Sequence, residues 1–367
     1  MMYRRMVIKV GTNLLVDDKG IRKNFLKSIV AQIKPLHAAG REIIIVSSGA
    51  IGLGIRKLNL GKKASTLSEK QATAAVGQIM LMQAYEEAFR AVNIPVAQVL
   101  LGHDDIKSKS RNINARNTLN KLLEWKVIPV INENDTVATD EIKFGDNDTL
   151  AGIVGSVVSA DAVLILTSVD GVYDKNPDTN ADARIINEID DINEQGKNIS
   201  TEGRTTMGTG GMGAKLEIAR KLNYAGIPLV IANGNADNVI EKIAAGKNEG
   251  TIVRVKNEKL GPKKSYILMS LKEKGKLKVD DGAKAALLNS GKSLLAVGIC
   301  GVSGEFNFGD AVEITDMNGA KLGKGMVNYS SKDLEGIKGR RNSELKKELG
   351  GNFYEEVIHR DNLLIYR

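Results

Sequence analysis

Cysteine is nearly absent from this 367-residue chain, and Cys300 stands alone. A single cysteine excludes an intramolecular disulfide, disfavours a zinc cluster, and fits a reducing compartment such as the cytoplasm. With no histidine close to it in sequence, Cys300 reads as a small buried hydrophobe rather than a nucleophile. Long apolar runs are missing as well. The longest apolar region, Leu150 to Leu166, is interrupted by Ser156, Ser159 and Asp161, and falls short of the ~20 residues that a membrane span needs. The first five residues run directly into Val7-Ile8-Lys9-Val10 with no apolar core or cleavage site of a secretory signal. Aromatic residues make up only 4%, which leaves little for stacking on nucleic-acid bases.

Positive charge is in excess, at +8 with a sequence pI near 9.2, and such a balance invites a nucleic-acid reading. Its distribution weakens that reading. Residues 272–367 carry 16 Lys and Arg against 14 Asp and Glu, so the C-terminal part is close to balanced. A mixed solvated surface that also favours anionic substrates accounts for the remainder.

At this length two domains are expected, and a hydrophobic content of 42% is ample for their cores. The first two thirds alternate strand-like and helix-like segments. Strands are expected at 6–10, 42–47, 96–101, 127–131, 162–166 and 228–232, with helices at 24–39, 68–92, 115–124, 150–159 and 214–224. Strands separated by helices require right-handed crossovers and a largely parallel sheet. This α/β domain is expected to span 1–254, followed by a linker at 255–272 without a periodic apolar face. A small β-rich module follows at 273–351, with strands at 276–279, 311–315 and 323–328 and a helix at 282–290, and then a tail at 352–367.

Four segments carry chemistry. The strand ending Val130-Ile131 runs into Asn132-Glu133-Asn134-Asp135, and the Gly145-Asp146-Asn147-Asp148 turn follows before another apolar run. Sites in open α/β sheets form at strand carboxyl ends. Asn132, Asn134, Asp135, Asn147 and Asp148 offer the donors and acceptors that suit a small zwitterion with an ammonium and carboxylates. In Ile8-Lys9-Val10-Gly11-Thr12 a lysine sits inside a buried strand and a glycine turn follows. Such a lysine is costly unless an anion or a structural ion pair meets it. Ser47-Ser48-Gly49-Ala50 leads from a strand into a helix, where N–H groups and the helix dipole favour a carboxylate or phosphate, or where Ser48 acts as an ordinary cap. Last, Met207-Gly208-Thr209-Gly210-Gly211-Met212-Gly213-Ala214-Lys215 is a glycine-rich turn entering a helix. It departs from the Walker pattern because Leu216 follows the lysine, so it is either a phosphate loop of another family or a flexible linker. Two lysines with carboxylates and no covalent nucleophile suit phosphoryl transfer better than hydrolysis.

Together these motifs, in this order and approximate spacing, resemble the glutamate 5-kinase family of the amino acid kinase superfamily. The Gly275-Lys276-Leu277-Lys278-Val279-Asp280-Asp281-Gly282-Ala283 and Gly309-Asp310-Ala311-Val312 segments resemble the PUA domain often appended to its bacterial members. The resemblance implies a three-layer αβα domain around a largely parallel sheet, plus a PUA domain. It implies ATP-dependent phosphorylation of the γ-carboxylate of L-glutamate to glutamyl 5-phosphate, the first step of proline synthesis. Carried over by position, Lys9 and Lys215 would act on the transferring phosphoryl group and Asp148 would orient them. Ser48, Asp135, Asn147 and Asn132 would bind glutamate. Lys9, Gly11, Thr167, Ser168, Thr209, Gly210, Gly211, Met212, Gly213, Ala214 and Lys215 would line the nucleotide site. Many relatives have Asp where Ser168 stands; with a neutral hydroxyl here, the resemblance implies contact to the nucleotide through the Ser168 backbone. Mg2+ would bind mainly through the nucleotide phosphates, with no dedicated protein ligand. The family also implies inhibition by proline, a dimer or tetramer, a cytoplasmic location with no membrane contact, and hand-over of product to glutamate-5-semialdehyde dehydrogenase. RNA binding by the PUA domain is not expected as the main function.

Overall fold

The computed structural model describes residues 3–61, 64–138, 147–177, 179–196, 199, 211–349 and 353–366. The chain divides into two units, Met1–Lys259 and Leu260–Arg367.

The first unit is built on an eight-stranded sheet whose order is Val96–Leu101, Ile128–Glu133, Glu42–Val46, Arg5–Val10, Ala162–Thr167, Leu229–Asn233, Thr251–Val253, Glu188–Ile189. The first six strands are mutually parallel, and only the Thr251–Val253 pairing with Leu229–Asn233 is antiparallel. Strands such as Glu42–Val46 and Ala162–Thr167 are apolar almost throughout and buried on both faces, as central parallel strands must be when helices cover them. On one face Met6, Ile8 and Val10 pack with residues of the Lys23–Ala38, Leu67–Arg90 and Val239–Ala244 helices. Because side chains alternate along a strand, Val7 and Lys9 point to the other face. That face is covered by Asn147–Val157, which packs against Met212–Ala225. Three layers result, and Lys9 lies beneath a helix rather than in solvent.

Parallel pairing has a geometric consequence. Gly11, Ser47, Asn134, Ser168 and Gly234 each follow the last residue of a strand, so their turns collect along one edge of the sheet. Backbone hydrogen bonds tie this edge together, from Gly11 N–H to Leu166 O at 3.1 Å, Ser47 N–H to Ile131 O at 2.8 Å, Asn134 N–H to Leu101 O at 3.1 Å and Gly234 N–H to Thr167 O at 2.9 Å.

Two helices beyond this edge approach unusually closely. A Cβ on Gly77 would lie 1.8 Å from the Ala50 carbonyl oxygen, and one on Gly54 would lie 1.7 Å from that of Thr73. The Ala50–Lys57 helix and the Leu67–Arg90 helix are therefore in backbone contact. The second of them begins at a capping box in which Glu69 N–H donates to Thr66 Oγ1 at 3.2 Å and Thr66 N–H donates to Glu69 Oε2 at 3.1 Å.

The second unit holds a five-stranded sheet ordered Ile299–Gly304, Glu273–Val279, Ala311–Thr315, Lys321–Met326, Leu363–Ile365. Leu277, Val279, Val312, Ile314, Leu334 and Ile358 are among its core residues. Three expectations change here. The stretch expected as a linker contains the Pro262–Ser270 helix, with proline in its first turn and Ile267, Leu268 and Met269 buried. The expected tail supplies the Leu363–Ile365 strand, which pairs with Gly323–Gly325. Cys300 is exposed on the edge strand, not buried. In the first unit the short strands Glu188–Ile189 and Thr251–Val253 add to those expected, and the helix expected from Ala115 begins at Lys109. No helix among the described residues is long and apolar enough to cross a membrane.

Candidate active site

Lys9 is the next-to-last residue of the central strand, in register with Val46 on one side and Ile165 on the other. Its ammonium lies 2.6 Å from Asp148 Oδ1, while the Lys215 ammonium lies 2.9 Å from Asp148 Oδ2. Asp148 comes from the first turn of Asn147–Val157 and Lys215 from the first turn of Met212–Ala225. All three residues are buried, and Asp148 completely. Burial alone would raise the pKa of Asp148, but the Lys9 and Lys215 ammonium groups outweigh it and hold the carboxyl below the ordinary aspartate value. One oxygen for each lysine makes the carboxylate a spacer that fixes the two cations at a set separation.

Beside this triad is a neutral polar cluster. Asn147 Nδ2 donates to Ser48 Oγ at 2.9 Å and to Asn132 Oδ1 at 3.3 Å. Asn132 Nδ2 donates in turn to Gln78 Oε1 at 2.9 Å. Asn147 Oδ1 and Gln78 Nε2 are buried, with no hydrogen-bond partner among the described residues. Ser48 does not cap the helix after it. That position falls to Gly49, at φ 102°, where a side chain would also press on Val16 at 2.9 Å. The serine hydroxyl is therefore left to the polar cluster. Behind the turn, the fully buried Tyr85 hydroxyl donates to Ser47 Oγ at 3.1 Å. Burial pushes the Tyr85 pKa up, so it stays a neutral donor.

The remaining sequence-derived site residues are spread along the same edge. Asp135 lies half-buried in the turn after Ile128–Glu133, closed by Val137 N–H to Asn134 O at 3.2 Å. Thr167 ends its strand, and Ser168 is exposed in the bend that follows. Gly211, Met212, Gly213 and Ala214 form the entry to the helix that carries Lys215. Thr209 and Gly210 lie outside the described residues. Among the described residues no group of three His, Cys, Asp and Glu side chains is placed to hold a metal ion.

Such a constellation, at the strand ends of a sheet of this topology, can be compared with known proteins. Residues 4–233 match the amino acid kinase family and residues 275–349 the PUA domain. A glutamate 5-kinase from Caldanaerobacter subterraneus subsp. tengcongensis is 44% identical over 362 residues, covering 98% of this chain and 97% of that protein. Another, from Geobacter sulfurreducens, is 42% identical over 99% of this chain and 97% of its own length. The chain belongs to the glutamate 5-kinase family. Its enzyme fold is also that of a UMP kinase from Bacillus anthracis, which superposes with a TM-score of 0.50 at 19% identity, covering 70% of this chain and 97% of that one. The sequence motifs include every candidate site residue described above except Gln78 and Tyr85. Both lie on the Leu67–Arg90 helix, read from sequence only as an amphipathic element. No sequence pattern marks Gln78, because the helix–helix contact at the neighbouring Gly77 appears only in the fold.

Proposed function

We propose that this chain transfers the γ-phosphoryl group of ATP to the γ-carboxylate of L-glutamate, giving L-glutamyl 5-phosphate, the first step of proline biosynthesis. The observation that carries this reading is the Lys9–Asp148–Lys215 triad set against the Ser48–Asn147–Asn132 cluster. The first suits a phosphoryl group and the second a small polar acceptor. In the transfer one acceptor oxygen bonds to the γ-phosphorus as the bond to the β-phosphate oxygen breaks. A carboxylate acceptor carries no proton to remove, so the transfer needs no general base. Lys9 and Lys215 neutralise charge on the moving group, and Asp148 keeps both aimed. Asn147 Oδ1 accepts from the substrate ammonium, with Asp135 in the turn after the Ile128–Glu133 strand as its charged partner, and the Ser48–Gly49 turn takes a carboxylate.

Gly211, Met212, Gly213, Ala214 and Lys215 at the start of their helix, with Gly11, Thr167 and Ser168, line the nucleotide side. Mg2+ fits this donor set as an ion brought by the nucleotide, because both Asp148 oxygens already face ammonium groups. It supplies charge neutralisation on the phosphates when bound. The same reading includes a cytoplasmic enzyme inhibited by proline, acting as a dimer or tetramer, that passes its labile product to glutamate-5-semialdehyde dehydrogenase.

The test is ATP consumption by the purified chain with magnesium and hydroxylamine, using L-glutamate, L-aspartate, N-acetylglutamate or no acceptor. Hydroxamate formed only with glutamate supports the reading. Activity with another acceptor alone overturns the substrate, and no acceptor-dependent activity overturns the reaction.

A further inference from the structure

We propose that Gln78 is a positioning residue that sets which polar atom Asn147 shows to the substrate, and so makes the acceptor site selective for α-ammonium compounds. This rests on the glutamate-kinase reading and adds a residue that lies outside the sequence motifs.

An amide side chain holds its acceptor and donor ends at opposite sides, so in a chain of amides the orientation of one dictates that of the next. Here the chain starts at Gln78, whose Oε1 accepts from Asn132 Nδ2 at 2.9 Å. Asn132 must then turn its Oδ1 toward Asn147, and it accepts there at 3.3 Å. Asn147 commits its second N–H to Ser48 Oγ at 2.9 Å. Both Asn147 hydrogens are thus used within the protein, and its Oδ1 is left buried with no partner among the described residues. An unsatisfied buried acceptor favours a donor such as an ammonium.

With the Gln78 oxygen removed, no other acceptor among the described residues holds the Asn132 amino group in place. A reversed Asn132 would set donor against donor at Asn147, which would be relieved only by turning Asn147 as well. That turn would present its NH2 group where an acceptor is needed. The backbone that carries Gln78 is held in place, because Gly77 beside it lies against the backbone of Ala50.

The experiment compares kcat/KM for L-glutamate with that for glutarate, which has both carboxylates and no ammonium, in the full-length enzyme by the hydroxamate assay. In Gln78→Met, which keeps length and helix propensity but has no amide, the glutamate-over-glutarate ratio should fall by about tenfold. The KM for ATP should stay within about twofold of wild type. In Gln78→Glu an acceptor oxygen still faces Asn132. Its added negative charge repels the dianionic glutarate more than glutamate, so the ratio should return to the wild-type value or exceed it. Adding Gln78→Met to Asn132→Ala should lower the ratio no further, since Gln78 acts through Asn132. A merely structural role would lower both acceptors together and leave the ratio intact. An active wild type with an unchanged ratio in Gln78→Met overturns this inference alone, whereas a wild type inactive with glutamate overturns the functional reading and this inference with it.

Discussion

Lys9 and Asp148 form an ion pair of 2.6 Å between the middle of a parallel sheet and the first turn of the helix that covers it. The strand places the lysine on the helix-covered face, and the helix starts where its first carboxylate can reach down. Neither charge is tolerable at such depth alone. The second lysine, Lys215, reaches the same carboxylate from another helix, so three separate segments of sequence meet at one buried charge.

Lys215→Ala should lower kcat by about 100- to 1,000-fold while nucleotide affinity changes only a few-fold, because its contact strengthens as charge moves during transfer. Steady-state kinetics with a parallel nucleotide-binding titration separates the two quantities. An unchanged maximal rate would remove Lys215 from the mechanism.

Asp148→Asn preserves shape but takes the shared charge from Lys9 and Lys215. The expected loss of stability is about 3–5 kcal/mol, as for breaking a buried pair, with part recovered on adding MgATP, which binds the folded state. Activity should fall with it. The folded-state pKa of Asp148 is depressed, so its stabilising contribution is present above the unfolded carboxyl pKa and lost as pH falls through the folded one. The gap in thermal midpoint between wild type and Asp148→Asn should therefore hold from neutral pH down to the ordinary aspartate range and close below it. A gap that closes near neutrality would contradict the pairing.

The parallel sheet was legible because buried strands such as Glu42–Val46 are continuous apolar runs with helical segments between them. The short strands Glu188–Ile189 and Thr251–Val253 were not, since two or three residues carry no periodicity and owe their shape to their neighbours. The Lys109–Glu124 helix was read late because its first turns, Lys109-Ser110-Arg111-Asn112, offer no apolar stripe. Ser48 and Asn132 stand out as polar residues at strand ends, and Asn147 as one in a glycine turn before an apolar run. Gln78 does not, because a polar residue on a long helix usually faces solvent, and only the fold reveals that this one faces Asn132.

Close contact between two helices predicts opposite outcomes for two glycines. Gly77→Ala would drive a methyl group to 1.8 Å from the Ala50 carbonyl oxygen, whereas a Cβ on Gly52 meets nothing within 4 Å. Gly77→Ala should cost about 1–3 kcal/mol through forced backbone shifts and raise the KM for glutamate, since the displaced helix begins right after the Ser48–Gly49 turn. Gly52→Ala, inside the same eight-residue helix, should be neutral or stabilising by up to about 1 kcal/mol. Thermal unfolding of both variants decides this, and equal midpoints would mean that the helices separate freely.

Asp135 offers the test of proline as a competing ligand. Proline and glutamate share an α-ammonium and an α-carboxylate, and Asp135 sits in the turn directly beyond the strand that carries Asn132. A carboxylate that meets the ammonium of one ligand should meet that of the other, each contact to a charged group being worth about 1.5–3 kcal/mol. Asp135→Ala should therefore raise the KM for glutamate and the inhibitory concentration of proline together, by about tenfold or more at each. Inhibition is best measured at glutamate concentrations scaled to each variant's own KM, so that weaker competition from substrate does not disguise the change. Full proline sensitivity in an Asp135→Ala enzyme that still turns over would separate the two sites and place proline on other residues.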